Sequence, residues 1–264
     1  MAITPRRRRQ LIRGLLYIVA ATILVGAIAS ADWERIQRSF FQPDVVRRML
    51  PEVLSLAARN TLIYTAGSFT IGLVLALVLA LMKLSEIGPY RWFAIGYIEL
   101  FRGLPALITI LFFGFGLPIA FGGLRLPGGT LGTGSVALGV VAAAYMAETI
   151  RAGIQAVPRG QAEAARSLGM SGPRAMGSIV LPQAFRIIIP PLTNEFVLLI
   201  KDTSLLFVLG TTPMTRELTN FARSFMTTTQ NATPLTVAAV VYLIITLPLT
   251  YLVRRLERRT ARAR

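Results

Sequence analysis

The chain has 264 residues, of which 54% are hydrophobic and only 15% are charged. With a mean hydropathy of +0.61, this composition excludes an ordinary soluble protein and predicts several membrane crossings. The formal net charge of +16 is compatible with nucleic-acid binding, but the arginines stand at the boundaries of apolar segments, which argues against it. Because the chain has no Cys and no His, the sequence indicates neither a disulfide nor a metal site.

Two basic tails flank the apolar part of the chain, at residues 1–13 and 254–264. Both are typical of cytoplasmic anchors under the positive-inside rule, and both also fit simple solvated tails. The first apolar segment follows at residues 14–31. Its apolar run is longer than the roughly 7–15 residues of a signal-peptide core, which favours an additional transmembrane helix over a cleaved signal peptide.

Residues 32–60 form a connection in which apolar side chains recur at helical spacing. This pattern predicts an outer segment that lies in the membrane interface. Its five arginines oppose the positive-inside rule, although the count over the whole chain favours this orientation. The apolar positions are Val45, Val46, Met49, Leu50, Val53, Leu54 and Ala57.

Five further apolar segments follow, and a transmembrane span needs about 20 residues. The sequence predicts spans at residues 61–82, 92–117, 134–150, 191–211 and 235–253, and the second of these is interrupted at residues 102–105. With the N-terminus inside, six spans return the C-terminus to the inside and place the polar loop 152–189 there. The expected fold class is therefore all-α, a polytopic membrane helical bundle of about six transmembrane helices.

The loop 152–189 has local structure of its own. Residues 161–168 are strong helix formers, and Gly169 stands where a left-handed glycine would end a helix. Pro173 suits the first turn of a second helix, whereas Pro182, Pro190 and Pro191 are expected to break the chain after it. The pattern predicts a helix–turn–helix projection between two membrane segments, and an ordinary solvated loop is the alternative.

Charged side chains inside spans are costly and usually face the bundle interior or a water-filled path. They serve either a substrate path or internal ion pairs that hold the bundle together, and Glu148 and Arg151 also lie near enough to a boundary to snorkel. No nucleophile–base pair and no paired catalytic acids are present, so an enzyme is not expected. The candidates for a path are Glu99, Arg102, Glu195, Lys201, Asp202, Thr203 and Ser204.

Several motifs of this sequence resemble those of a known family. Glu163-Ala164-Ala165, Gly169, Ile179 and Leu181-Pro182 resemble the "EAA" loop in membrane subunits of bacterial ATP-binding-cassette (ABC) importers. Residues 99–105, 144–154, 157–161, 181–184, 194–195 and 201–205 resemble the polar amino-acid uptake subgroup. The resemblance extends over residues 60–253, and one departure is Leu104, where the subgroup commonly has Thr.

The resemblance implies a type I ABC importer permease in the bacterial inner membrane, with both termini cytoplasmic and lipid around it. The loop would be a coupling helix that docks in a separate ATPase, present in two copies that hold ATP and Mg²⁺, while this chain binds no cofactor. Further implied partners are a second permease subunit, identical or homologous, an extracytoplasmic substrate-binding protein and a polar amino acid, but no nucleic acid. The coupling residues would be Gln161, Glu163, Ala164, Ala165, Arg166 and Gly169, with the two alanines as a close-packing face.

The residues leave two other functions open. A secondary carrier would use Glu99, Glu148, Glu195 and Asp202 as an ion or proton relay, but this leaves the 152–189 loop unexplained. A membrane scaffold would use that loop to bind a soluble partner without any transport. The chain lacks a GxxxxGK[ST] phosphate-binding loop, so an ATP-driven pump would need its nucleotide site on another chain.

Overall fold

The structure is a computed structural model that describes residues 5–262, which form helices and no strand. Residues 1–4 and 263–264 of the predicted basic tails lie outside the described residues. The long helices are joined by short π-helical turns and 3₁₀ segments, so few residues are irregular. The α-helices are α1 (Pro5–Ser30), α2 (Trp33–Phe40), α3 (Pro43–Glu52), α4 (Arg59–Leu84), α5 (Gly88–Gly103), α6 (Ala106–Leu111), α7 (Leu117–Ala120), α8 (Gly129–Gln155), α9 (Arg159–Ser167), α10 (Gly172–Ala175), α11 (Leu181–Asp202), α12 (Leu218–Thr229) and α13 (Thr233–Arg262).

Four helical stretches of the described chain are long and apolar enough to cross a membrane, namely Arg9–Ser30, Trp33–Leu84, Gly129–Gln155 and Thr233–Arg258. A fifth results if α5 and the stretch Ala106–Ala120 form one span, and these two meet at a bend of 105°. The bend falls at the interruption that the sequence predicts, where Pro105 cannot continue α5. At most five spans are therefore found in residues 5–262, against six predicted, because the predicted span at 191–211 does not qualify.

Helix α11 differs most from its prediction. It runs without a break through Pro190 and Pro191, and Pro182 lies in its first turn, so the expected breaks at these three prolines are wrong. Each internal proline removes one backbone hydrogen bond, but α11 is packed against α8, α4 and α13, and tertiary packing supplies most helical stability in proteins. The helix then passes directly into a 3₁₀ segment, Thr203–Leu209.

Helices α4 and α8 form the centre of the bundle and run side by side in the same direction. Small residues let them approach closely: a Cβ atom added to Gly72 would lie 3.0 Å from the carbonyl oxygen of Gly139, and one added to Gly139 would lie 3.0 Å from that of Ser68. Both helices run towards the end of the bundle that carries α9, called here the α9 end. The turn between α12 and α13 lies at the opposite end, called the α12 end.

The predicted interfacial segment 32–60 divides into two parts in the structure. In α3 and the π-helical turn Val53–Ala58, one stripe of apolar residues packs against protein: Val45, Met49, Val53 and Ala57 are buried in a cluster with Leu218, Phe221 and Val241. Leu50 and Leu54 of the same predicted face remain exposed. Helix α2 is fixed to the α12 end, because Asn231 Nδ2 donates to Arg38 O (2.7 Å).

Candidate functional site at helix α9 and within the bundle

Helix α9 is a short projection that ends in a complete capping motif. Gly169 follows the helix with φ of +86°, a left-handed conformation that glycine adopts at low cost. The amide of Gly169 donates to Arg166 O (2.9 Å), and the amide of Met170 donates to Ala165 O (3.1 Å). These two bonds form a Schellman motif, so the prediction of a helix ended by Gly169 is confirmed.

The side chains of α9 separate into a buried and an exposed face. Ala165 is only 5% exposed, whereas Glu163, Ala164 and Arg166 are exposed. Ala165 packs within the chain and Ala164 does not, because adjacent positions of a helix point about 100° apart. The predicted close-packing contact of this pair with an ATPase stays a prediction. Leu168, which follows the helix, is 86% exposed. We call Glu163, Arg166 and Leu168 the α9 face.

The base of α9 is tied to the long helices. Glu148 of α8 forms an ion pair with Lys83 Nζ of α4 (3.0 Å) and a second with Arg151 of its own helix, and Arg151 also donates to Gln155. On the other side, a Cβ atom added to Gly153 would overlap the side chain of Ile188 of α11. Helix α8, which precedes α9, is thus held to α4 by the ion pair and to α11, which follows α9, by close packing.

Gln161 takes part in the same attachment. Gln183 of α11 donates from its Nε2 to Gln161 Oε1 (3.4 Å) and to the carbonyl oxygen of Ile179 (3.0 Å). Gln161 is exposed, and its side chain reaches α11 through this contact.

A small, partly open cavity of about 170 Å³ lies between α8, α11 and the break between α5 and α6. Two carboxylates, Glu195 and Asp202, line it from α11, and Tyr145 lines it from α8. Arg102, at the end of α5, places its guanidinium 5.6 Å from the centre of the Tyr145 ring, a cation–π distance. Two acidic groups thus line one partly open cavity, and the exposed guanidinium of Arg102 lies beside its Tyr145 wall.

The structure does not bring all predicted path residues to this cavity. Glu99 and Lys201 are exposed on the outside of the helices, so Lys201 and Asp202 occupy different faces as the sequence indicates. Thr203 is fully buried and donates from Oγ1 to Ile200 O (2.7 Å), and Ser204 is half-buried. Of the predicted set, Glu195 and Asp202 line the cavity and Arg102 approaches it through Tyr145.

A second polar region, which sequence reasoning missed, lies between the 3₁₀ segment and α12. Glu217 is completely buried and caps α12, because its carboxylate accepts from the amides of Thr219 and Asn220 (both 2.6 Å). The hydroxyl of Tyr242 on α13 donates to the same carboxylate (3.3 Å). A buried carboxylate is costly without such partners, and here three donors satisfy it.

Helix α4 holds the chain just before Glu217. Asn60 Nδ2 donates to the carbonyl oxygens of Met214 (2.8 Å) and Arg216 (2.9 Å), and the hydroxyl of Tyr64 donates to Thr215 O (3.1 Å). Backbone groups that leave a helix inside a membrane need such partners. Residues 210–217, called here the fixed link, are therefore anchored to α4 and, through Glu217, to α13.

Sequence signals for the missed residues are weak. Tyr145 and Tyr242 are aromatic residues in apolar stretches, which ordinarily indicates packing. Glu217 follows the predicted fifth span, where a charge looks like a solvated boundary residue, although a carboxylate three residues before Asn220 fits an N-cap. For Leu168 the only sequence signal is that this apolar residue stands in a polar loop, outside every apolar segment and next to the glycine that ends a helix. Within residues 5–262, no cluster of acidic residues is placed to hold a metal ion.

Comparison with known proteins relates this arrangement to transport proteins. Residues 68–262 match the model of a family described as "Binding-protein-dependent transport system inner membrane component". The chain is 40% identical over 199 residues to the probable glutamine ABC transporter permease protein GlnM of Bacillus subtilis, covering 75% of this chain and 87% of GlnM. It is 35% identical to the arginine transport system permease protein ArtQ of the same organism, covering 75% and 88%. The glutamate/aspartate import permease protein GltK of Escherichia coli is 36% identical, with 76% and 90% covered.

Solved structures agree with the fold. A crystal structure of an amino acid ABC transporter with histidines superposes with a TM-score of 0.73 and 38% identity, covering 81% of this chain and 96% of that one. The inward-facing MetNI methionine ABC transporter gives a TM-score of 0.64 at 19% identity, covering 83% and 99%, which is a likeness of fold. Nearly the full length of each solved chain is thus represented, while about a fifth of this chain lies outside the match.

Proposed function

This chain belongs to the family of binding-protein-dependent transport system inner membrane components, and from that premise we propose that it forms the amino-acid path of an ATP-driven importer. The observation that carries the proposal is the partly open cavity beside the break between α5 and α6, which presents two carboxylates and a nearby guanidinium. An amino acid carries an ammonium and a carboxylate, and both charges need partners when they leave water. The secondary carrier left open by the sequence is not supported by the family match.

In this proposal Glu195 and Asp202 accept hydrogen bonds from the substrate ammonium. The cavity of about 170 Å³ is small, so the substrate would be held by direct contacts. Arg102 lies over the ring of Tyr145, close enough to the cavity to attract the substrate carboxylate after a change of side-chain rotamer. Leu104 and Leu138 contribute an apolar wall, which lowers the local dielectric and strengthens these charge interactions.

The α9 face is proposed to dock on a separate ATPase subunit. Leu168 is the exposed apolar residue of this face and would insert into an apolar pocket of the ATPase. Glu163 and Arg166 would contact its polar rim. The ion pairs of Glu148 with Lys83 and Arg151 then transmit a displacement of α9 to α4 and α8 together. Two such subunits, identical or homologous, would enclose the path, and closure of two ATPases holding ATP and Mg²⁺ would pull their α9 helices together and turn the bundle outward.

This mechanism sets the orientation. The α9 end faces the cytoplasm, together with both termini, and the α12 end faces the extracytoplasmic side, where a substrate-binding protein delivers its load. The arginine-rich start of α1 and end of α13 support this assignment, since basic residues concentrate on the cytoplasmic side. The exposed apolar surface of α1 then contacts lipid.

The first experiment combines purification with transport. The tagged chain is isolated gently from its own membranes, and intact-complex mass spectrometry is expected to find an ATPase in two copies with two permease subunits. Vesicles of the same membranes should take up polar amino acids only when ATP is supplied. Uptake that continues without ATP, by a chain that purifies alone, would contradict the proposal.

A charge reversal in the α9 face sharpens this test. Glu163→Lys is expected to weaken ATPase binding about tenfold, which corresponds to about 1.4 kcal/mol, because it reverses a charge at the proposed interface. The matched control is Glu86→Lys, which makes the same change on an exposed turn at the same end of the bundle. Both variants should insert normally, and equal co-purification of the ATPase with both would exclude α9 as the docking site.

A further inference from the structure

Helix α2 exposes aromatic side chains that belong neither to the cavity nor to the α9 face. It lies outside residues 68–262, which match the family model. Its eight residues, Trp33–Phe40, extend about 12 Å, which is too short to cross a membrane. Trp33 is 57% exposed, Phe40 is 43% exposed, and Phe41, directly after the helix, is 57% exposed. Large apolar side chains that are exposed together mark a contact with a protein, a membrane or a ligand.

Both ends of α2 lie at the ends of membrane helices. Trp33 follows the end of α1 after two residues, and its Nε1 donates to Ile28 O of α1 (2.8 Å). At the other end of α2, the amide of Ala232, directly before α13, donates to Ser39 O (2.9 Å). The apolar stretch of α1 ends at residue 31 and that of α13 begins at residue 235, so both mark one membrane boundary. Helix α2 therefore runs along the membrane surface at the α12 end.

The exposed side chains of α2 divide into an apolar face and a charged face. Trp33 and Phe40 are seven residues apart, which is close to two complete turns, and so they point in nearly the same direction. Glu34, Arg35 and Arg38 lie on the other side of the helix. All three are exposed, and Glu34 forms an ion pair with Arg38. A helix with Trp and Phe on one face and arginines on the other is typical of helices that lie in the membrane interface.

Helix α1 indicates that lipid covers the apolar face of α2. Residues 15–30 of α1 are exposed throughout, although this helix has the length and hydropathy of a membrane span. An apolar surface of this length is stable in the hydrocarbon core of a bilayer. The bond between Trp33 and Ile28 holds α1 and α2 together where they meet, so the exposed surface of α1 continues into the apolar face of α2. Trp33 therefore lies at the level of the lipid headgroups, where tryptophan is enriched.

We propose that α2 binds the surface of the phospholipid bilayer at the α12 end. Trp33, Phe40 and Phe41 insert below the headgroups, and the charged face points to the headgroups and water. Of the predicted interfacial segment 32–60, α2 is then the part that contacts lipid, because α3 packs against protein. Through its bond to the turn before α13, α2 holds that end of α13 at the membrane boundary. This contact follows from the positions of α1 and α13 and does not depend on what the chain transports.

Tryptophan fluorescence tests the contact, because the chain has two tryptophans, Trp33 and Trp92. Trp92→Phe leaves Trp33 as the single fluorophore. The full chain is reconstituted into vesicles of phosphatidylcholine and phosphatidylglycerol. Emission is then measured with lipids brominated near the headgroup, with lipids brominated at the chain end, and with iodide on both sides of the membrane. We expect the first lipid to quench Trp33 most, because an interfacial helix buries its apolar face about 5–10 Å into the boundary between headgroups and acyl chains.

The native Trp92 provides the positive control. It is 68% exposed near the start of α5, at the α9 end, where the predicted span 92–117 begins. In Trp33→Phe, the emission of Trp92 should therefore also be quenched most by lipid brominated near the headgroup, at the opposite boundary of the membrane.

A tryptophan moved around α2 tests which face contacts lipid. In a chain without either native tryptophan, Phe40→Trp should be quenched by the same brominated lipid as Trp33. The matched control is Arg38→Trp on the charged face, which should be quenched by iodide and emit at a longer wavelength. Arg38 meets Asn231 through its backbone carbonyl, so this substitution keeps the bond, and loss of its exposed ion pair costs little.

Three results would overturn the proposal. Quenching of Trp33 by iodide alone would place α2 in water. Resistance of Trp33 to iodide and to both brominated lipids would mean that protein covers the apolar face. Equal responses of Phe40→Trp and Arg38→Trp would mean that α2 does not present one face to the bilayer. Failure of ATP-dependent uptake would bear on the proposed importer and not on this contact, because the fluorescence is measured on the full chain without its partners.

Discussion

Two segments connect the long helices, the one that contains α9 and the fixed link, and they differ in where their hydrogen-bond partners come from. The α9 connection keeps its backbone hydrogen bonds local, with Gly169 and Met170 donating to the helix that precedes them. Its side chains are largely exposed, and a hydrogen bond from Gln183 to Gln161 joins it to α11. The fixed link instead takes its partners from distant helices, through Asn60, Tyr64 and Tyr242. A segment that presents a surface for docking needs a stable shape of its own, whereas backbone that leaves a helix inside the bundle needs hydrogen-bond partners from the neighbouring helices.

The largest expected effect comes from breaking the anchor. Glu217→Ala removes the acceptor of two buried amides and of the Tyr242 hydroxyl, and unsatisfied buried donors cost about 1–3 kcal/mol. With the lost helix cap, we expect a destabilisation of about 3 kcal/mol, measured as a lower midpoint of thermal unfolding in detergent. Glu217→Gln keeps one acceptor oxygen, so this variant should be destabilised less than Glu217→Ala.

The matched control for Glu217 is a solvent-exposed cap. Asp32 caps α2 by accepting from the amide of Arg35 (2.9 Å), but it is exposed, so water replaces the lost bond. Asp32→Ala should cost about 1 kcal/mol or less. If both alanine variants lowered the midpoint equally, burial would not distinguish the fixed link from an ordinary turn.

A smaller effect is expected at the base of α9. The side chain of Glu148 is 26% exposed and serves both Lys83 and Arg151, while that of Glu34 is 73% exposed and serves only Arg38. Exposed pairs contribute little because water screens them. Glu148→Gln should therefore lower the unfolding midpoint, and Glu34→Gln should not.

Glu148→Gln also tests how the movement of α9 is transmitted. If the ion pairs make α4 and α8 respond together, the variant should hydrolyse ATP with less uptake per ATP than the unaltered protein. A proportional fall of hydrolysis and uptake would assign Glu148 to stability alone.

Local signals explain which parts were predictable from sequence. The α5–α6 break follows from Pro105 and the end of α9 from Gly169, because both depend on backbone restrictions of single residues. The course of α11 through Pro190 and Pro191 was not predictable, since packing against α8 and α13 outweighs the local penalty. The same applies to the cavity: Glu195 and Asp202 are recognisable as costly charges, but their meeting with Tyr145 depends on which helices pack together.

The smallest effect concerns the local cap of α9. Gly169→Ala places an L side chain at φ of +86° in open space, so its cost is purely conformational, about 1 kcal/mol. The midpoint of global unfolding would change little. Trypsin cleaves after Arg166 and Arg174 only when the backbone around them opens locally, and a change of about 1 kcal/mol alters the population of this open state about fivefold.

Gly160→Ala is the opposite change in the same helix. Gly160 has a helical backbone and an added Cβ atom meets nothing within 4 Å, so alanine should stabilise the helix by up to about 1 kcal/mol. Cleavage within the loop is thus expected to be faster in Gly169→Ala and slower in Gly160→Ala than in the unaltered chain. Identical rates in all three would mean that the α9 connection is held by ties to the bundle, as the fixed link is, and not by its own cap.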